Sequence, residues 1–322
     1  HVYKDYFPVL GGIENHIKTL AEAQIRAGHK VTVLVCDPGL RTHIETYNGV
    51  KVIKAGRLLT AASMPISLTQ PLIVARLRPD ILHVQGPYPL GELSAWLFGG
   101  KTPFVLSYQS DIVRQKTLLR FYGPFLRRVL RRVDRILTNS PRYIETSSWL
   151  QPVRTKCLSV PIGIDVRRFT LSEHHYASPP TVLFVGRLRY YKGLDTLITA
   201  MRDLPGVHVK LAGDGPMCGQ LRAQVEALEL TERVHFLGEI ADEELPALYH
   251  QAHMFVLPSN ARAEAYGIVL LEAMASGLPC VSTELGTGTS WVVQDGVTGR
   301  VVPPQDPAAL AAALRELVDN PE

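Results

Sequence analysis

Short runs of β-branched and other apolar residues alternate with longer amphipathic stretches along the whole chain. In the first half KVTVLVC (30–36), VKVI (50–53), DILHV (80–84), PFVLSY (103–108), RILTNS (135–140) and KCLSVPIG (156–163) read as buried strands. Between them, GGIENHIKTLAEAQIRAGH (11–29) reads as an amphipathic helix, with Ile13, Ile17, Leu20 and Ile25 near one face and Gly28 as its stop. The second half repeats the pattern with PTVLFVG (180–186), VHVKLAG (207–213), RVHFLG (233–238), MFVLPS (254–259) and LPCVST (278–283). Strands that alternate with helices predict parallel sheets covered on both faces. Two such series in tandem predict an α/β fold of two Rossmann-like domains.

The periodicity is lost in DVRRFTLSEHHYASPP (165–180), which ends in a proline pair before a fresh strand. The expected domains are therefore 1–170 and 171–322, the second cut short at its C-terminal end. HVYKDYFP supplies barely two residues of a first strand, and the helix DPAALAAALRELVDNPE simply stops, so the chain is expected to be a piece of a longer protein.

Composition adds one asymmetry. Residues 1–175 carry 24 Lys and Arg against 12 Asp and Glu (+12), and residues 176–322 carry 10 against 18 (−8), which together give the net +4. One half is basic and the other acidic, as suits two units with different partners. No apolar run approaches the ~18 residues of a membrane span. The four cysteines, Cys36, Cys157, Cys218 and Cys280, form no CxxC pair and are expected to be reduced core thiols of a cytoplasmic protein.

Open α/β sheets bind ligands at the carboxyl ends of their strands, so the turns after strands are where chemistry is expected. Gly11-Gly12 precedes the first helix, where two residues without Cβ let backbone N–H groups approach a phosphate; a plain helix start explains the pair equally well. It is not GxGxxG, which excludes the nicotinamide fingerprint at this turn. In FVGRLRYYKGLDTLI, Arg187 follows a strand and Lys192 precedes a helix. A guanidinium and an ammonium suit a diphosphate, although spacing alone does not separate Arg187 from Arg189.

The stretch AEAYGIVLLEAMASGLPCV (263–281) places Glu264 in a loop and Glu272 more than a turn inside a helix. Residues eight apart on a helix stand ~12 Å apart, so these two carboxylates suit opposite ends of one long ligand. The N–H groups of Gly267, Ile268 and Val269 lie between them as an anion site. A carboxylate such as Glu272 accepts two hydroxyl hydrogen bonds, which fits a vicinal diol.

These residues carry a resemblance. EAYGIVLLE is similar to the E-x7-E signature of the retaining family-4 glycosyltransferases, which have the GT-B fold; the Gly-Gly turn, VGRLRYYKG and LAGDGP (211–216) follow the family's order over nearly the whole chain. The resemblance implies a retaining, metal-independent hexosyltransferase with no cofactor, its donor a GDP-mannose or UDP-glucose/GlcNAc type of nucleotide sugar. Arg187 and Lys192 would bind the diphosphate, Glu272 the ribose and Glu264 the transferred sugar. The amides of Gly267, Ile268 and Val269 would line sugar and phosphate, Gly12 would close on the phosphates, and Gly213 and Asp214 would lie near the nucleoside. In FVLSYQSDIVRQK, Gln109 stands where the family pattern has a histidine that contacts the donor sugar, while Ser110 and Asp111 keep the rest of the motif. Glutamine still donates and accepts hydrogen bonds but carries no proton at neutral pH. His16 and His83 are further polar candidates.

The acceptor is expected to be a saccharide or a lipid-linked sugar. Residues 114–135 hold eight Lys and Arg (Arg114, Lys116, Arg120, Arg127, Arg128, Arg131, Arg132, Arg135) and one acid, Asp134, with Phe121, Phe125, Val129 and Val133 placed to line one side. This suits either a solvated helix face or attachment to an anionic membrane surface, and nucleic acid is not expected. A sugar-nucleotide binding protein of the same shape that has lost catalysis is the alternative that Gln109 keeps open.

Overall fold

The computed structural model describes residues 1–9, 11–61, 64–112, 116–169 and 178–320. They form two compact units, His1–Ile162 and Gly163–Glu322. Arg114 and all of residues 170–177 lie outside the described residues, as do the side chains of 116–118.

The first unit contains strands β1 (Thr32–Cys36), β2 (His43–Tyr47), β3 (Val50–Ala55), β4 (Leu59–Ala61), β5 (Met64–Ile66), β6 (Leu82–Gly86), β7 (Phe104–Tyr108), β8 (Arg135–Thr138) and β9 (Cys157–Ser159). β1, β3 and β2 form one ladder and β6, β7, β8 and β9 another, while β4 and β5 make a separate hairpin. The opening residues join the two ladders. Val2 bridges Leu34 and Val84, both in parallel. Its N–H donates to His83 O at 2.8 Å and its carbonyl accepts from Gln85 N at 3.0 Å, while Tyr3 N and Cys36 N donate across to Leu34 O and Lys4 O, each at 3.1 Å. A stretch with barely two strand-forming side chains is thus the central strand of the sheet, held by backbone bonds on both edges.

The helix after it, Gly12–Arg26, buries Glu14, Ile17 and Ala21. Ile13, Leu20 and Ile25 flank that stripe half-buried, and Gly28 lies just past the helix end. The helix Lys116–Arg132 packs through Tyr122, Leu126, Val129 and Leu130, with Val133 just beyond it. These positions are spaced i, i+4, i+7 and i+8, the stripe a helix buries. Phe121 sits one residue off it and is 79% exposed, contrary to the expectation that it lines the apolar side. A polar anchor fixes this helix: Glu92, fully buried on the Pro89–Phe98 helix, accepts the Tyr122 hydroxyl and, at 3.0 Å, Tyr88 N–H.

The second unit holds β10 (Thr181–Val185), β11 (His208–Ala212), β12 (Val234–Gly238), β13 (Met254–Leu257), β14 (Cys280–Thr283) and β15 (Gly299–Val302). They form one six-stranded sheet in the order β12-β11-β10-β13-β14-β15, and every pair is parallel. The central strands β10, β13 and β14 are buried throughout, as continuous apolar runs require between two helical layers. In chain order this is a 3-2-1-4-5-6 sheet, whose connections leave in opposite directions from β10 and β13. A crevice opens at such a switch point, beyond the carboxyl ends of those two strands.

All four cysteines are free thiols, but only Cys36 and Cys280 are in the core; Cys157 and Cys218 are half-buried.

Candidate active site

The loops that follow β10 and β13 deliver the two central groups. Lys192 closes a short turn after β10, and Glu264 lies in the loop after β13; the Lys192 ammonium donates to Glu264 Oε2 at 2.6 Å, with both residues only 9% exposed. Burial, the largest single influence, lowers the lysine pKa, but the Glu264 carboxylate and Tyr191 together outweigh it and the net shift is upward, so Lys192 stays charged. Ser259, fully buried, lies at 3.5 Å from the same carboxylate oxygen.

The two loops are stitched together by backbone. Asn260 N donates to Tyr191 O at 2.8 Å, and Asn260 Nδ2 to Tyr190 O at 3.2 Å. Gly193 is left-handed (φ 65°), and a Cβ there would stand 1.9 Å from Pro258 O, so only glycine permits this approach. The helix Ile268–Ala275 begins at Gly267, also left-handed (φ 79°), and no side chain caps it. The first N–H groups of that helix therefore remain available to an anion.

Arg187 is exposed immediately after β10 and makes no ion pair among the described residues. Among the described residues the structure pairs Lys192 with Glu264. Gly213 and Asp214 follow β11: Gly213 N donates to Gly238 O at 2.7 Å, and Leu188 N of the Arg187 turn donates to Asp214 O at 3.0 Å. Glu272 is half-buried inside its helix, and its Oε2 accepts the hydroxyl of Tyr249 at 2.8 Å. Burial raises its pKa, which the tyrosine bond partly opposes. Tyr249 and Ser259 were not legible as site residues, since both read as ordinary core positions.

In the first unit, Gly12 is exposed at the start of its helix. Gln109 follows β7 and is buried; its Nε2 donates to Gln85 Oε1 at 2.8 Å. Asp111 Oδ1 accepts from the hydroxyls of Tyr108 at 2.9 Å and Ser147 at 2.8 Å. His83 is buried against Ser107 and Gln85, whereas His16 is half-buried. Among the described residues no group of three or more His, Cys, Asp or Glu is placed to hold a metal ion, and no helix is long and apolar enough to cross a membrane.

Solved structures share this fold. Sucrose-phosphate synthase from Thermosynechococcus elongatus superposes with a TM-score of 0.77 at 23% identity, over 97% of this chain and 85% of the other. Anabaena HepE, solved in complex with UDP and glucose, gives 0.73 at 19% identity over 99% and 89%. The fold is that of the GT-B glycosyltransferases. The model for glycosyl transferases group 1 matches residues 168–322, and that for Glycosyltransferase Family 4 matches residues 10–168. The D-rhamnosyltransferase WbpZ of Pseudomonas aeruginosa is 38% identical over all of this chain and 87% of its own length. The O-antigen chain mannosyltransferase C of Escherichia coli is 35% identical over 100% and 89%. The chain belongs to glycosyltransferase family 4 and is a transferase of glycan synthesis.

Proposed function

We propose that the protein is a retaining, metal-independent hexosyltransferase that moves a manno-configured sugar from a nucleotide diphosphate to a saccharide or lipid-linked acceptor in polysaccharide synthesis. The observation that carries this reading is the buried Lys192–Glu264 pair at the switch point of the second sheet, beside an uncapped helix start. A carboxylate held by an ammonium can exchange that partner for sugar hydroxyls when a donor arrives, and the ammonium is then released toward the phosphates. As the glycosidic bond breaks, negative charge grows on the diphosphate. Lys192, Arg187 and the amides of Gly267, Ile268 and Val269 stabilise it there. Because Tyr249 occupies one oxygen of Glu272, the other is left for a ribose hydroxyl. Gly213 and Asp214 border the nucleoside. No covalent nucleophile is assigned, and attack from the leaving-group face accounts for retention.

The manno preference is supported by the names of the relatives, since rhamnose is 6-deoxymannose and the two sugars share their ring stereochemistry. Attachment to an anionic membrane through the Lys116–Arg132 helix is supported by exposed Phe121 among its arginines. Four free thiols suit a reducing compartment, the cytoplasm.

Thermal-shift screening against GDP- and UDP-sugars, followed by turnover with the best ligand, tests the reading. A ligand at 100 times its Kd stabilises by about 2.7 kcal/mol. Stabilisation and transfer by a GDP-manno sugar, unaffected by a chelator, are expected; stabilisation without transfer or hydrolysis would identify a binding protein instead.

A further inference from the structure

A cavity of about 350 Å³ opens in the first unit, where the helix Lys116–Arg132 meets the segment that leads into β9. Arg127, Leu130 and Arg131 line it from the helix, and Ser148, Trp149 and Pro152 from the segment. Its volume falls within the roughly 300–1,000 Å³ of small-molecule sites. Residue spacing builds it. Gly123, Arg127, Leu130 and Arg131 stand at i, i+4, i+7 and i+8 and share one flank of the helix. The indole of Trp149 lies across that flank. A Cβ at Gly123 would stand 3.0 Å from its Cη2, so glycine gives the ring its room. One turn on, the Arg127 guanidinium sits over the same ring, 5.3 Å from its centroid. Leu130 is buried and makes an apolar floor, while Arg127, Arg131 and Ser148 are exposed at the rim.

The charge of this cavity is uncompensated. Neither Arg127 nor Arg131 makes an ion pair among the described residues. Asp134, the acid nearest them in the chain, accepts Phe104 N–H at 2.7 Å instead. Like charges four residues apart on a helix disfavour each other, and a bound anion relieves them. The carbonyl end of a helix opposes an anion. Lys156 offsets that end, donating its ammonium to Arg131 O at 2.5 Å and Val133 O at 2.8 Å.

Two guanidinium forks match the oxygens of a phosphate, and the Ser148 hydroxyl supplies a further donor. Leu130, Trp149 and Pro152 offer nothing to a bare hydrated ion, but suit the glycerol and first methylenes of a lipid. Tryptophan favours the boundary between water and membrane, and basic pockets there hold lipid headgroups. Arg128 and Arg132, beside the two cavity arginines in the chain, are exposed on the same helix.

We propose that this cavity is a headgroup site, which takes the phosphate of an anionic phospholipid between Arg127 and Arg131 with its glycerol against Trp149. The site rests on the membrane contact of the same helix given under the proposed function, and replaces a diffuse attraction with one bound lipid.

The test uses the full chain and dihexanoyl phosphatidylglycerol, a short lipid that stays monomeric in dilute solution. Of the chain's three tryptophans only Trp149 lines the cavity, so a saturable change in emission is expected that Trp149→Phe abolishes. Arg127→Gln/Arg131→Gln should raise the half-saturating concentration about 10-fold or more. Arg128→Gln/Arg132→Gln removes the same charge outside the cavity and should shift it less than about 2-fold. Ser148→Phe keeps every charge but fills the cavity, and should weaken binding as the first pair does. Inorganic phosphate, without the apolar stem, should need about 10-fold more than the lipid. Equal losses in the two arginine pairs, or saturation by phosphate at the lipid's own concentration, overturn the proposal. Sedimentation with phosphatidylglycerol vesicles separates the two readings. Capture of the unaltered chain without a saturable emission change overturns the headgroup site alone; no capture overturns the membrane contact, and the headgroup site with it.

Discussion

The ammonium of Lys192 and the carboxylate of Glu264 meet at 2.6 Å, although 72 residues of sequence separate them. Truncating either partner leaves a buried charge without its counterion. Lys192→Ala is therefore expected to lose about 3 kcal/mol of stability, measured by denaturant unfolding, and the double variant Lys192→Met/Glu264→Gln to recover part of that loss. Donor use should fall at least ~100-fold in Lys192→Ala, because the charge developing on the diphosphate loses a preorganised cation. Kinetics near those of the unaltered chain would remove Lys192 from the site.

Glu272 gives a different sign. Burial raises its pKa in the folded chain, so the folded state holds the proton more tightly than the unfolded one. Stability associated with this group is complete below the unfolded value near 4.5 and is lost as pH rises through the folded value. Glu272→Gln should therefore be more stable than the unaltered chain at pH 7, a difference that closes on acidification. The same variant should bind the donor more weakly, since a carboxylate contact to ribose is lost. A thermal melt series across pH, with and without nucleotide, reads both effects.

His83 runs the other way. Its pKa is depressed from 6.5 to about 3 by burial, so the unfolded chain takes up a proton first on acidification. The contribution of His83 is fully present above pH 6.5 and is lost as pH falls toward 3. Replacing it with Gln should flatten the acid limb of the stability profile in that window. An acid limb of unchanged steepness would show that other groups dominate it.

Gly193→Ala should damage both fold and function. The added methyl would collide with Pro258 O at 1.9 Å in a left-handed backbone, and something must shift. A loss of about 2 kcal/mol is expected. Since the same turn carries Lys192, the donor KM should rise alongside it. A variant with an unchanged melting temperature would show that the two loops are not fixed against each other.

Phe121 tests the membrane reading without touching the donor residues. The unaltered chain should sediment with anionic vesicles at low salt and release at high salt, and Phe121→Asp should weaken that capture several-fold. Turnover of a water-soluble acceptor should stay unchanged. Equal capture by neutral vesicles would argue against an electrostatic contact.

The sequence was most legible where strands are covered on both faces. β1, β10 and β13 are nearly continuous apolar runs and read as such. β2 and β15 were not, because edge strands expose much of their surface: His43–Tyr47 pairs antiparallel with β3 and carries a mixed polar pattern, and β15 pairs with β14 alone. The short hairpin of β4 and β5 gave no periodic signal. The loops bearing Lys192 and Glu264 were recognisable from their places after strands, but a 72-residue separation hides their contact. Glu272 was noticed for its apolar neighbours, whereas its partner Tyr249 comes from another helix. Gln85 was invisible because a single amide at a strand end looks like a lapse in an apolar run.

The opening tetrapeptide carries a consequence for biosynthesis. Its edges pair with residues of β1 and β6, so the ribosome releases it long before either neighbour exists. Vectorial growth therefore cannot complete the middle of the first sheet until residue 86 has left the exit tunnel, and Val2 must wait for both of its flanks. Such distant closure slows assembly.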